Sequence, residues 1–308
     1  MTSNTSVMFD RFGDVANLEL RSFESGPVPD GHVRVDITVA GLNPVDWQIV
    51  ESRDLAEAFG ITTPVGFGND FAGVITETGS SVTEWRVGDR VYGGARGAAL
   101  ASSVVLHENH PSMHSTPDSI SDRTAGVLDI TGRPASAVAD ALAVRSGETV
   151  LVGSAGGGVG SILVQLLVRA GARVIGSGSL ESADFIRSLG AVPVEYGSNL
   201  ERGVRVATTG PVAAATDLHG MATAKAALAL GVPPHRIVTI ESDTPPAGTL
   251  AVNGSDAQPV SLSKLTELIS AGELFVHIAA VYPLEQFAQA IAHQRSRHVN
   301  GKIAIEIS

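Results

Sequence analysis

An apolar strand turns through glycines into an amphipathic helix in the run Val150-Leu151-Val152-Gly153-Ser154-Ala155-Gly156-Gly157-Gly158-Val159-Gly160, and few folds accommodate that sequence. A helix start leaves N–H groups unpaired and carries a partial positive charge, so an anion is stabilised there. Ala155-x-Gly157-x-x-Gly160 fits the dinucleotide fingerprint. Its first small residue makes the tight turn, the second lets a pyrophosphate approach the backbone, and the third lets the helix lie close on the sheet. Contacts to a dinucleotide are therefore expected from Ser154, Ala155, Gly156, Gly157, Gly158, Val159 and Gly160.

The flanking residues complete a βαβ unit. Gly147 precedes a strand over Thr149 to Val152, and Val159, Ile162, Leu163, Leu166, Leu167 and Ala170 are spaced as one buried helical face. Gly171 then stops the helix, and Arg173-Val174-Ile175-Gly176 reads as the next strand. The alternative is a tight turn in some other α/β sheet. Thr149 to Val168 lacks charged side chains and approaches the roughly 20 residues that span a bilayer. Its glycine cluster and amphipathic second half argue instead for a helix packed on a sheet, so no membrane partner is expected. Asp10 and Arg11 stand where a secretory signal needs a basic start and an apolar core, and the expected location is cytoplasmic.

With 308 residues the chain is long enough for two compact domains. A formal net charge of −11 argues against nucleic acid or an anionic membrane as partner, since phosphate binding needs a basic surface. Cysteine is absent, which removes disulfides, thiol nucleophiles and cysteine-ligated zinc together.

The first hundred residues read as β-rich. His32 to Val39 alternates apolar and polar side chains, and Phe71 to Thr76 and Arg90-Val91-Tyr92 form further short strands between turn residues. From about Ser121, helices alternate with apolar strands, the pattern of a parallel sheet covered on both faces. Past a polar connection at Gly248 to Pro259, a helix (Ser263 to Ser270), a strand (near Phe275 to Val281), a helix (Leu284 to Arg295) and a last strand (Lys302 to Ile307) return the chain to its β-rich part. The expected domains are residues 1–120 plus 262–308, and residues 121–261 inserted between them.

Three segments resemble signatures of the medium-chain dehydrogenase/reductase family: Ala40-Gly41-Leu42-Asn43-Pro44-Val45-Asp46-Trp47, Gly68-Asn69-Asp70-Phe71-Ala72-Gly73-Val74-Ile75 and Val87-Gly88-Asp89-Arg90-Val91-Tyr92-Gly93. The glycine run, Tyr282-Pro283-Leu284-Glu285 and Gly301-Lys302-Ile303 follow in the same order, so the resemblance covers essentially the whole chain. It is greatest to the zinc-independent quinone oxidoreductase group, which includes enoyl reductases. The resemblance implies an α/β architecture, a Rossmann doubly wound parallel sheet inserted in a GroES-like β-barrel domain. It also implies hydride transfer from NADPH to a quinone or an α,β-unsaturated carbonyl. Zinc-dependent relatives place Cys where Asn43 stands and His-Glu where Asn69 and Asp70 stand, so no metal is expected. Without that Lewis acid, an alkoxide is harder to stabilise than the conjugated oxygen of a quinone or enone.

Cofactor choice is read at the end of the second Rossmann strand, where a carboxylate would hold the ribose diol of NAD. Here Gly176-Ser177-Gly178-Ser179 offers hydroxyls from Ser177 and Ser179 and no carboxylate before Glu181, which favours NADP(H). Related NADPH enzymes often carry a lysine after this turn, and this chain has Leu180-Glu181. By resemblance, Tyr196 and Arg297 approach the adenosine phosphate, Thr131 precedes the first Rossmann helix, and Asp217 is the strand-end aspartate beside the cofactor. Arg297 reads equally well as a solvated helix-end arginine, and Asp217 as a residue that orders the backbone.

Asn43, Asp46 and Trp47 are the candidates for chemistry: Asn43 as a hydrogen-bond partner of acceptor or nicotinamide, Trp47 as an aromatic wall. Against this, Asn-Pro commonly starts a turn and Asp46 suits a helix cap. Gln48 and Val50 replace a tyrosine and an arginine of several quinone reductases, so no tyrosine proton donor carries over and solvent is left to reprotonate. His107, His110 and His114 lie around Pro111 and share no helical face, which disfavours a metal. An enoyl-thioester reductase and a non-catalytic NADP(H)-binding sensor remain the alternatives. The resemblance also allows a homodimer.

Overall fold

The computed structural model describes residues 4–208, 210–240 and 244–307. These fall into two compact units: the residues up to Ile130 with those from Ile278 onward, and Thr131–His277.

In the first unit the chain runs through β1 (Asn4–Phe9), β2 (Glu19–Phe23), β3 (His32–Leu42), α1 (Pro44–Glu51), α2 (Arg53–Ala58), β4 (Val65–Gly66), β5 (Asp70–Thr78), β6 (Arg90–Gly94), β7 (Ser103–His107), β8 (Met113–Ser115) and α3 (Asp122–Ala125). The strand read over His32 to Val39 extends to Leu42, and its alternation ends there because residues 39–42 are all buried. β3 pairs antiparallel with both β5 and β7. Gly73 makes the first pairing close: a Cβ there would lie 2.2 Å from the Asp36 carbonyl oxygen. Val35, Ile37, Leu42, Phe71, Ile75 and Val91 fill the core.

The second unit takes most of α4 (Asp129–Leu142), then β9 (Thr149–Val152), α5 (Gly158–Arg169), β10 (Arg173–Gly178), α6 (Ala183–Ser188), β11 (Val192–Glu195), α7 (Leu200–Ala207), β12 (Ala214–Asp217), α8 (Ala222–Ala229), β13 (Ile237–Thr239), β14 (Leu250–Ala251) and α9 (Ser261–Ser270). Its sheet is parallel in the order β11-β10-β9-β12-β13-β14, as expected for a doubly wound fold. The order reverses beside β9, so the loop leaving β9 sits at the topological switch point. The buried face of α5 differs in part from the expected one. Ile162, Leu163 and Leu167 are buried together with Val164, whereas Val159 and Leu166 are half-buried and Ala170 is exposed beyond the helix end.

The chain then returns to the first unit through β15 (Ile278–Pro283), α10 (Phe287–Arg295) and β16 (Lys302–Glu306). β16 pairs antiparallel with β3 and parallel with β15, setting Ile303 opposite Leu42. The seams at 130/131 and 277/278 differ from the 120/121 and 261/262 read from composition. α3 packs on β3, β5 and β6 of the first unit. Past α9, Phe275 is tied to Gln165 and Glu273 to Arg169 in the second.

Candidate functional site

The glycine loop leaving β9 is held by its own backbone. Gly153 N donates to Thr216 O (2.8 Å), Ala155 N to Ser177 O (2.9 Å) and Gly157 N to Ser154 O (3.0 Å), with Ser154 in the left-handed region at φ 51°. α5 begins after Gly157 without a side-chain cap. The two fingerprint glycines have different surroundings. A Cβ on Gly160 would lie 2.2 Å from Ser154 O and 2.9 Å from Ala155 Cα, so helix and loop touch there. A Cβ on Gly157 would meet Ser154 O at 3.4 Å and otherwise open space. The loop is thus closed where the helix packs and open where first-turn N–H groups point outward, a cradle that fits a diphosphate.

At the end of β10, Ser177 is buried, while Ser179 is half-buried with its Oγ 3.0 Å from Ser182 Oγ. Tyr196 follows β11, is 58% exposed, and its backbone N–H donates to Gly178 O (3.1 Å), which places it beside that turn. Asp217 is buried and spends both oxygens on backbone, Oδ1 accepting from His219 N and Oδ2 from Ala224 N, each at 3.0 Å. It therefore orders the turn into α8. Thr131 is buried in α4.

In the first unit, five buried polar side chains form one network where β3 ends and α1 begins: Asn43, Asp46, Asn69, Asp70 and Lys302. Lys302 Nζ donates to Leu42 O (3.2 Å) and to Asn43 Oδ1, and lies 3.5 Å from Asp70 Oδ2. Asn43 Nδ2 donates to Asp70 Oδ2 (3.0 Å), and Ile130 N to Asp70 Oδ1 (2.8 Å). Asp46 closes the helix start, Oδ2 accepting from Asn43 N (2.7 Å) and Oδ1 from Asn69 Nδ2. Pro44 at the first helical position has no N–H to leave unpaired. Burial pushes the Asp46 carboxyl up to about 7, against the Asn69 hydrogen bond. Burial likewise raises Asp70 and lowers Lys302, and each opposes the other's shift through their mutual attraction. Among these, Asn43 and Asp46 were expected from sequence, Asn69 and Asp70 were singled out only as replacements of zinc ligands, and Lys302 only as part of a matched segment. Asp70 and Lys302 both stand at the first position of a strand, next to a run of apolar or small residues, and a charge buried there requires a partner.

The remaining candidates lie apart from this network. Trp47 is 9% exposed, its indole N–H donates to Gln294 Oε1, and the Arg295 guanidinium lies 5.2 Å over its ring. The indole is thus held in the contact between α1 and α10. Arg297 is exposed just past α10 with φ 61°, a left-handed helix end. His107 meets His32 edge-on, and His114 lies tilted against Tyr92.

The alcohol dehydrogenase GroES-like domain model matches residues 29–154, and the zinc-binding dehydrogenase model matches residues 201–305. The chain is similar to a quinone oxidoreductase structure from Coxiella burnetii, at a TM-score of 0.88 and 24% identity over 100% of both chains, which shows the shared fold. It is 25% identical to the chloroplastic NADPH-dependent alkenal/one oxidoreductase of Arabidopsis thaliana, over 97% of this chain and 78% of that protein. It is also 33% identical to erythronolide synthase EryA2 of Saccharopolyspora erythraea, over 58% of this chain but only 5% of that protein. The chain thus spans a small fraction of such synthases.

Proposed function

The chain belongs to the medium-chain dehydrogenase/reductase superfamily, and from that premise we propose that it is a zinc-independent oxidoreductase passing a hydride from NADPH to a quinone or an α,β-unsaturated carbonyl. The observation that carries this reading is the cradle at Gly157, open at the switch point of a parallel sheet. The absence of a carboxylate between Gly176 and Ser179, and the similarity to an NADPH-dependent alkenal/one oxidoreductase, favour NADP(H). The donors at Asn43, Asn69 and Asp70 do not fit zinc: two are amides, and the carboxylate is bonded to an amide and an ammonium.

When bound, NADPH supplies the hydride. The residues of the cradle, Ser154 to Gly160, bind its diphosphate, and Ser177, Ser179 and Tyr196 serve the adenosine side. In the other unit, Asn43, Asp46 and Trp47 serve the acceptor by giving the start of α1 a fixed shape, because their polar atoms are already engaged. The proton that follows hydride onto an enone comes from solvent, since Asp46 is 2% exposed with both oxygens accepting bonds.

The test is oxidation of NADPH, followed at its absorbance band, with a simple quinone, an enone and an enoyl thioester, and with NADH in parallel. Saturable turnover of at least one acceptor, faster with NADPH, is expected. Tight NADPH binding without turnover of any acceptor would favour the second reading, a non-catalytic NADP(H)-binding protein, which the full engagement of Asn43, Asp46 and Trp47 also accommodates.

A further inference from the structure

Lys302 carries the single ammonium of the buried network, and its surroundings define both its charge and its task. Its Nζ faces three oxygens, Leu42 O, Asn43 Oδ1 and Asp70 Oδ2. An ammonium offers three donors and no acceptor, so the protonated form alone satisfies all three. The Asn43 amide is then read in one orientation. Turning it over would set its NH₂ against the ammonium and its oxygen against the Asp70 carboxylate, two repulsive contacts in place of two bonds. Asn43 in turn donates its backbone N–H to Asp46, which Asn69 holds from the other side. A chain of bonds thus runs from the last strand to the first turn of α1.

We propose that Lys302 is a positioning residue for the reduction: its caged ammonium selects the orientation of the Asn43 amide, pins Asp70, and through them fixes the turn that starts α1. This rests on the oxidoreductase reading above. A buried ion pair of this kind is weak as a source of stability, because desolvation offsets its attraction, so replacing both charges together costs far less than removing one. What such a replacement removes is the directional constraint on Asn43.

The test uses the full chain with Lys302→Met and Asp70→Asn combined, so that no buried charge is left unpaired. NADPH affinity by calorimetry should stay within about twofold of the parent, the acceptor KM likewise, and kcat should fall about tenfold or more. Independently of turnover, the Asn43 side-chain amide should lose its single pair of ¹⁵N-resolved proton signals as the group begins to flip. A variant whose kcat stays within about twofold, or whose Asn43 signals are unchanged, overturns the proposal. A double variant that fails to fold overturns it too, since the pair would then be needed for stability. If the parent reduces no acceptor, the oxidoreductase reading fails, and the Asn43 signals still decide whether Lys302 orients that amide.

Discussion

Gly157 and Gly160 stand three residues apart, yet a methyl added at one meets open space and at the other meets backbone. Gly157→Ala should therefore leave the melting temperature nearly unchanged while weakening NADPH binding about tenfold, since the methyl stands where the diphosphate approaches. Gly160→Ala forces helix from loop and should cost about 1–3 kcal/mol of stability, read by denaturant unfolding. Equal effects of the two changes on stability and binding would contradict the assigned division. Asp46 gives a second prediction. Its folded carboxyl titrates at about 7 against the ordinary 3.8, so the folded state holds a proton that the unfolded state has released between those values. The stability it contributes is present below about pH 4 and is lost as pH rises towards 7. Compared with Asp46→Asn, the parent should thus lose stability on going from pH 4.5 to 7.5; a pH-independent difference would sink this. Lys302 and Asp70 each begin a strand that ends in further polar residues, so neither stands out as a buried charge from its own strand. One strand's pattern carries no information about which distant strand supplies the counter-charge.

The element most legible in the sequence was the turn from β9 into α5, because glycine spacing, apolar strand and helical periodicity all agree there. The boundaries of β9 were read correctly, but the burial of α5 was only partly so. α5 buries Val164 outside the expected stripe, and Ala170, just past the helix end, is left in solvent. β12 and α8 are joined by Asp217, whose two oxygens satisfy backbone donors of the turn and of the helix start. Asp217→Ala leaves those donors unpaired and should destabilise the chain by about 1–3 kcal/mol, seen as a lower unfolding midpoint. An unchanged midpoint would show that solvent replaces the carboxylate at no cost. α1 and α10 are likewise joined through Trp47, Gln294 and Arg295, with an ion pair from Arg295 to Glu51 at 2.7 Å. That contact was not legible, since nothing in Trp47-Gln48 indicates a helix some 250 positions away.

Across the whole chain, the order of β-rich, alternating and β-returning segments foretold a parallel sheet inserted in a β-rich domain, and the structure shows that sheet with six strands. The seams were harder to read, because α3 and α9 have compositions that suit either unit and only their packing decides. Each unit buries its own apolar core, while the fingerprint lies wholly in residues 131–277. A ligand that binds the native state alone stabilises it in proportion to the logarithm of its concentration over Kd. NADPH at a hundred times its Kd should therefore raise stability by about 2.7 kcal/mol and shift the thermal midpoint visibly upward, with NADH giving less. The account rests on nucleotide binding at the loop leaving β9, and calorimetric titration of the intact chain with NADPH tests it most directly. Saturable heat at one nucleotide per chain is predicted; no heat of association with either NADPH or NADH would contradict it.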